Sequence, residues 1–404
     1  MVDLVKPLAP CTNSACFSRD TDIAIIGGGL AGSTAAAMLT RKGLKVALVD
    51  PHTVYPPDLR CEKLDGRQVE ILRRTGLADL ILPAGTFDGE NWIARFGRIV
   101  EKRPGDQYGI HYDKLVNTMR TAIHSSVTFI SGKVTAIVNS SDRQIMTLAS
   151  GENISARLII LANGLNSGLR SALGMVREDV SKCHSITVAF DLKPLGRSSF
   201  EFGALTYYPE RTADRLAYLT LFPVGQTMRA NLMVYRDIND PWLREIRQQP
   251  EPAILSILPG LRKLIGLTQV LGPVKIRPAD LYVTHRYLKP GVVLVGDAFA
   301  TSCPAAGTGT SKVLTDVERL CNIYVPQWMA SEGMGVQKIA AFYADPVKVA
   351  CDRHSFNKAF SLRSISIDEG FSWEARRWSR FLGRLAIGTG RKALARMVVK
   401  SPLG

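Results

Sequence analysis

Apolar and polar residues follow three different rhythms along this chain. Between residues 22 and 50 two unbroken apolar runs, Ile23–Ile26 and Val46–Val49, flank an alanine-rich stretch. That order predicts strand, helix, strand, with both strands covered on two faces because neither alternates. Apolar residues fall at 64, 69, 72 and 77, then at 115, 116, 119 and 123, which predicts helices over 64–77 and 110–124. Segments 126–137 and 157–162 read as strands, the second running into Asn163-Gly164. From 185 to 236 the rhythm shortens to alternation. Ile186–Leu192, Phe200–Tyr208, Leu216–Pro223 and Met228–Tyr235 predict an antiparallel sheet with aromatic faces. Residues 242–266 predict helix. Gly291–Gly296 returns to a buried parallel strand, followed by a glycine-rich turn and a helix over Ser311–Val325.

The pattern predicts an α/β protein whose first lobe is opened by a β-rich insertion and closed again from about residue 290. The divisions read as an N-terminal tail over 1–20, a nucleotide lobe over 21–180 and 286–345, a β-rich lobe over 181–285, and a basic helical region over 346–404.

The turn between the first two runs carries the chemistry. It reads Gly27-x-Gly29-x-x-Gly32, with Leu30-Ala31 opening the helix and Asp50 closing the second run 23 residues after Gly27. Gly27 permits a tight turn, Gly29 lets backbone approach a pyrophosphate at the helix N-terminus, and Gly32 lets helix and strand pack closely. Asp50 can accept from a ribose hydroxyl. Strand, turn, helix and terminal acid agree on dinucleotide binding.

Composition narrows the class. The 404 residues are 46% hydrophobic, enough for two lobes with a sizeable core. Seven scattered cysteines without a C-x-x-C pair argue against a disulfide framework or structural zinc, and fit a reducing cytoplasm. Cys11 and Cys16 lie upstream of the first strand and read as tail residues. No metal site and no nucleic-acid partner are expected. Residues 1–21 lack the basic and apolar regions of a secretory signal.

Three ordered motifs resemble a known family. They are Gly27-x-Gly29-x-x-Gly32, Asn163-Gly164-x-x-Ser167-x-x-Arg170, and Gly296-Asp297-Ala298 with Pro304-x-x-Gly307-x-Gly309. Together they are similar to the FAD-dependent aromatic hydroxylases of the para-hydroxybenzoate hydroxylase fold, including the ubiquinone-biosynthesis hydroxylases. The resemblance spans roughly residues 20–330. It implies a glutathione-reductase-like FAD lobe with an inserted antiparallel substrate lobe. By resemblance, Asp297 meets a ribityl hydroxyl, and Pro304, Gly307, Thr308, Gly309 and Thr310 meet the flavin edge. It also puts Arg60 near the pyrophosphate and flavin, and Val134 on the strand that pairs with adenine. The implied reaction reduces FAD with NAD(P)H and uses O2, through a flavin C4a-hydroperoxide, to hydroxylate or epoxidise an electron-rich small molecule. Two alternatives share the fold: an alkene reductase like the geranylgeranyl reductases, and a flavin-binding protein without catalysis.

The chain departs from the family pattern at three points. Asn163 stands where aspartate is usual, Phe299-Ala300 where a histidine commonly follows, and Ser311 where asparagine is usual. With no triad or metal cluster visible, the catalytic residues stay unassigned. Tyr207, Tyr208, Tyr218 and Phe222 read as core packing by default, with one or two of them as aromatic candidates for substrate contact, since by resemblance the sheet roofs the flavin.

Net charge is +15, and it is uneven. Residues 371–404 hold eight basic residues and one acid, with Phe371, Trp378, Phe381, Leu382 and Leu385 able to share a helix face. Two readings stay open: a helix packed on the nucleotide lobe, or an interfacial helix making a peripheral membrane contact that would favour a lipophilic substrate.

Overall fold

The computed structural model describes residues 18–400, with side chains for 19–389. Cys11, Cys16 and the last four basic residues of the tail lie outside the described side chains.

The first sheet is built on the strand Ser18–Ile26, which begins inside the segment read as tail. Across the sheet the order is Thr128–Ser131, Val46–Asp50, Ser18–Ile26, Asn153–Leu161, Gln144–Leu148 and Val134–Val138, with Val292–Leu294 beside the end of Asn153–Leu161. The unbroken apolar runs have their predicted cause. Ile23, Ile25, Val46 and Leu48 face one core, while Ala24, Ile26, Ala47 and Val49 face the other. The parallel register Ile159↔Val292 closes the lobe across the insertion.

Residues 126–137, read as one strand, form two. Thr128–Ser131 lies parallel to Val46–Asp50, whereas Val134–Val138 lies at the opposite edge. The break falls at Gly132, whose N–H donates to the Asp50 carbonyl. Both halves are apolar enough to read as a continuous strand, so pattern alone hides the crossover.

The second sheet runs Thr268–His285, Val176–Pro194, Thr227–Val234, Leu216–Val224, Ala204–Tyr207, Glu90–Arg95 and Arg98–Pro104. Its last two strands come from within residues 21–180, so the β-rich lobe is not one contiguous insertion. Strict alternation sorts its faces. Ile186, Val188, Phe190, Leu219, Leu221, Ala230 and Leu232 pack outward on helices drawn from 242–265. The predicted helix 242–266 is three short ones, interrupted at Pro250 and Pro259, where a helical N–H is missing. Phe200–Tyr208 shortens to the strand Ala204–Tyr207.

The C-terminal helix Phe371–Lys400 packs on the edge strand Arg98–Pro104 of the second sheet, not on the nucleotide lobe. Phe96 stacks on Trp378 and meets Phe381 edge-on, and Arg95 lies over all three rings. Arg377 donates to the carbonyls of Ile365 and Asp368, and Arg384 lies over Tyr208. Gly388 is buried so closely that a Cβ there would strike the Val100 carbonyl. Among the described residues no helix is long and apolar enough to cross a membrane.

Candidate active site

One large cavity of about 480 Å³ lies between the two sheets. Its cofactor wall starts at the first βαβ turn. Gly27 sits at φ +101°, and a Cβ there would lie 2.6 Å from the Ala162 carbonyl oxygen. Only glycine tolerates both conditions. The Gly28 N–H donates to Asp50 Oδ2 at 2.6 Å, and Arg120 pairs with Asp50 at 3.2 Å. Asp50 therefore fastens the turn while still lining the cavity. Tyr112 accepts from the Leu30 N–H at 3.3 Å and packs edge-on against Tyr55.

A second turn faces the first. Gly307 adopts φ +64°, opening the helix Gly309–Arg319, whose N-terminus has no side-chain cap. In the helix Leu30–Thr40 the cap residue Gly29 likewise supplies no side chain, and the Tyr112 hydroxyl meets only the first N–H. Asp297 pairs with Arg60 at 3.1 Å. Its own turn is held from behind, because the buried Arg170 donates to the carbonyls of Asp297 and Ala298. Tyr282 and Thr284 donate to the same two carbonyls at 2.7 and 2.9 Å.

Of the sequence candidates, Gly27, Gly29, Leu30, Ala31, Asp50, Arg60, Asn163, Gly164, Asp297, Pro304, Gly307, Gly309 and Thr310 line this one cavity. Six others do not. Gly32 lies beneath the turn, where a Cβ would overlap the Gly27 carbonyl. Thr308 turns its hydroxyl to Ser355 at 2.6 Å. Val134 pairs with Leu148 on the far side of the sheet. Tyr207 is on the outward face with Leu205, its hydroxyl held by Glu210 and the Gly97 N–H, so it is core. Tyr208 lies beyond the strand, against Tyr218 and Arg384. Phe222 is buried under Lys63. Tyr218 alone of the four aromatics lines the cavity, and its hydroxyl donates to the Ala305 carbonyl.

The opposite wall was not read from the sequence. Thr187, Tyr218, Thr220, Asn231 and Met233 project from alternate positions of three strands, joined by Cys303. Beneath them Glu62 and Arg229, 2% and 4% exposed, pair at 2.5 Å, and the Asn231 amide donates to Glu62 at 3.0 Å. Burial pushes the Glu62 carboxyl up, yet His111 and Arg229 outweigh it and hold the group below the usual glutamate range. Burial pushes the Cys61 and Cys303 thiols up, so neither is poised as a thiolate nucleophile. His184, isolated in sequence, is a core residue packed against Phe360 and Tyr235. Among the described residues no cluster of His, Cys, Asp and Glu could hold a metal ion.

The cofactor wall fits FAD on three observations. A Cβ at Gly29 would meet nothing closer than the Tyr112 hydroxyl at 3.5 Å, leaving the backbone open to a ligand. Two uncapped helix N-termini converge where anionic groups are favoured. The Asn163 Oδ1 acceptor is buried without a partner on the same wall.

The comparisons agree with this geometry. The chain belongs to the FAD binding domain family, whose profile matches residues 20–324. It is an FAD-dependent oxidoreductase of the monooxygenase class. Among curated relatives it is 27% identical to 3-demethoxyubiquinol 3-hydroxylase of Escherichia coli (strain K12), over 76% of this chain and 80% of that one. It is 25% identical to squalene monooxygenase of Mus musculus, over 76% of this chain and 55% of that one. It is 23% identical to 6-hydroxynicotinate 3-monooxygenase of Pseudomonas fluorescens, over 74% and 81%. Among solved structures, p-nitrophenol 4-monooxygenase PnpA of Pseudomonas putida DLL-E4 shares the fold with TM-score 0.73 at 17% identity, covering 95% of this chain and 97% of that one.

Proposed function

We propose that this protein uses NAD(P)H and O2 to hydroxylate or epoxidise an electron-rich, lipophilic organic molecule. The observation that carries the reading is a single cavity in which the glycine-lined cofactor wall faces Thr187, Tyr218, Met233 and Cys303. Bound FAD supplies the redox chemistry and oxygen activation. The chain's own groups position it. Gly29 and Ala31 offer backbone to the pyrophosphate, Asp50 and Asp297 offer acceptors to sugar and ribityl hydroxyls, and Thr308 to Thr310 offer N–H donors to the flavin edge. The second sheet closes over this wall and excludes water from the reacting atoms. The relatives named 3-demethoxyubiquinol 3-hydroxylase and squalene monooxygenase support this choice of reaction.

The test is a library screen with the purified yellow protein, following NAD(P)H oxidation and O2 uptake together. A hit accelerates both, with one O2 consumed per NAD(P)H. Alkene reduction without O2 uptake would favour the reductase alternative, and acceleration by no compound would favour a flavin-binding protein without catalysis.

The same reading extends to a peripheral lipid contact through the C-terminal helix. Phe371, Trp378, Leu382 and Leu385 are exposed on one side of it, at 88% and 51% for the two aromatics, while Arg376 and Arg380 are exposed on the opposite side. An aromatic and aliphatic side opposed by an arginine side suits a helix lying in an anionic interface. Co-sedimentation with phosphatidylserine vesicles should be lost in Phe371→Ser/Leu382→Ser, which touches no docking residue. Equal pelleting of both proteins, or of neither, would remove the lipid contact.

A further inference from the structure

The guanidinium groups around the substrate end of the cavity are already matched by carboxylates. Arg277 donates to Asp58 Oδ1 at 2.6 Å and to the Leu59 carbonyl at 2.6 Å. Arg177 donates to Asp179 at 2.5 Å and Asp280 at 2.8 Å, lying over the Tyr282 ring. Asp58 is shared, accepting from Arg60 at 2.5 Å as well. Burial tends to push the Asp58 carboxyl up, but Arg60 and Arg277 hold it below the usual carboxylate range, so it stays charged. The Cys183 N–H and Arg177 hold the Asp280 carboxyl low against the effect of burial. Lys63, the remaining cation of the lining, lies over the Phe222 ring with no carboxylate at ion-pair distance among the described residues, and burial holds its ammonium below the usual lysine range.

The facing wall presents neutral side chains, its one carboxylate, Glu62, being paired with the buried Arg229, and its polar groups are turned to the protein. Thr187 donates to Met233 Sδ, Thr220 to the Asn231 carbonyl, and Tyr218 to the Ala305 carbonyl. A ligand carboxylate entering here would lose its hydration without meeting a free guanidinium, whereas a neutral ring would lose little.

Resting on the monooxygenase reading, we infer that Asp58 and Asp280 are specificity-determining residues that discharge Arg277 and Arg177, so that the site takes a neutral aromatic ring and rejects an aromatic carboxylate. This is selection by removing an attraction to the wrong ligand rather than by adding one to the right ligand.

The test uses FAD-loaded protein and two probes of similar shape, 4-hydroxybenzoate and its methyl ester, titrated against the flavin absorption of the oxidised enzyme. Binding read this way needs no turnover. The ester should bind at least about tenfold more tightly than the acid in the unaltered protein, as expected when one of two isosteres carries an uncompensated charge. Asp58→Asn and Asp280→Asn should each improve acid binding roughly tenfold while leaving the ester within about threefold. Should Asp58→Asn lose FAD, because Asp58 also holds Arg60, Asp280→Asn decides alone. Lys63→Met should keep the preference for the ester. The inference is overturned by acid binding as tight as ester binding, by a gap that neither Asn variant narrows, or by binding of neither probe to any of these proteins. Ester binding that stimulates no O2 uptake would instead count against monooxygenation, leaving the charge rule standing.

Discussion

The two walls of the cavity are made of different materials. The cofactor wall is largely backbone, with glycines at 27, 29, 307 and 309, two uncapped helix ends, and carbonyls pinned by Arg170. The substrate wall is largely side chain, set out on alternate positions of strands that come together from distant parts of the sequence. Backbone walls tolerate few substitutions, because the shape is the glycine geometry itself. Side-chain walls can be altered one residue at a time, which is how one fold serves many substrates.

The strongest challenge to this contrast is Gly32→Val. With a Cβ overlapping the Gly27 carbonyl, it should prevent the lobe from folding, measured as insoluble protein or loss of the cooperative thermal transition. Gly29→Val is its control. There the added atoms point into open space, so circular dichroism and Tm of the apoprotein should be nearly unchanged while FAD affinity falls at least about a hundredfold, as expected when side chain occupies the pyrophosphate position. Stoichiometric FAD in that variant would mean the backbone does not face the cofactor.

On the other wall the largest effect should come from its charged foundation. Arg229→Ala takes the 2.5 Å partner from the buried Glu62 and leaves it only the half-exposed His111 at 3.8 Å as an ion-pair partner, which should cost about 3–5 kcal/mol in urea unfolding. Arg229→Met with Glu62→Gln should recover most of it. Because the folded Glu62 carboxyl is held below its ordinary value, its contribution to stability is present above about 4.5 and is lost as pH falls toward the depressed folded value. Unfolding midpoints measured from pH 7 to 3 in the unaltered protein and in Glu62→Gln should diverge above that range and converge below it.

Smaller effects separate first contacts from packing. Asp297→Ala should weaken FAD by roughly tenfold without unfolding the lobe, and Arg60→Ala should do less, since charge-assisted hydrogen bonds contribute about 1.5–3 kcal/mol at most. Global unfolding of Asp297→Ala would mark it as structural. Smallest of all, Tyr207→Phe and Tyr218→Phe each remove one hydroxyl, for about 1 kcal/mol. The first should lower Tm without touching kinetics, and the second should raise KM for the substrate with a smaller change in Tm. Equal kinetic effects would erase the distinction between the two faces of the sheet.

Legibility followed the same division. The first βαβ unit, the Asp297 turn and the helix after Gly309 were readable because their cause is local, with each glycine and acid lying within a few residues of what it shapes. Tyr207 could be assigned to the core from a local signal. It shares strand parity with Leu205, and that face is the outer core. Arg120, Tyr112, Arg277 and Glu62 carried no local signal, since the partners cited for them stand 70 to 219 residues away, from Arg120 and Asp50 to Arg277 and Asp58. The crossover at Gly132 and the origin of Glu90–Pro104 in the second sheet were hidden for the same reason.

By itself the sequence determined a dinucleotide turn, two buried parallel runs completed from residue 292, and an alternating insertion. These depend on period, on glycine's freedom and on helix N-termini, all properties of contiguous chain. Only the tertiary structure decided which face of the second sheet looks at the cofactor, which arginines are matched by carboxylates, and where the C-terminal helix rests. Those depend on long-range pairing, and the free energy of a charge or a hydroxyl is set by what is brought beside it rather than by its neighbours in sequence.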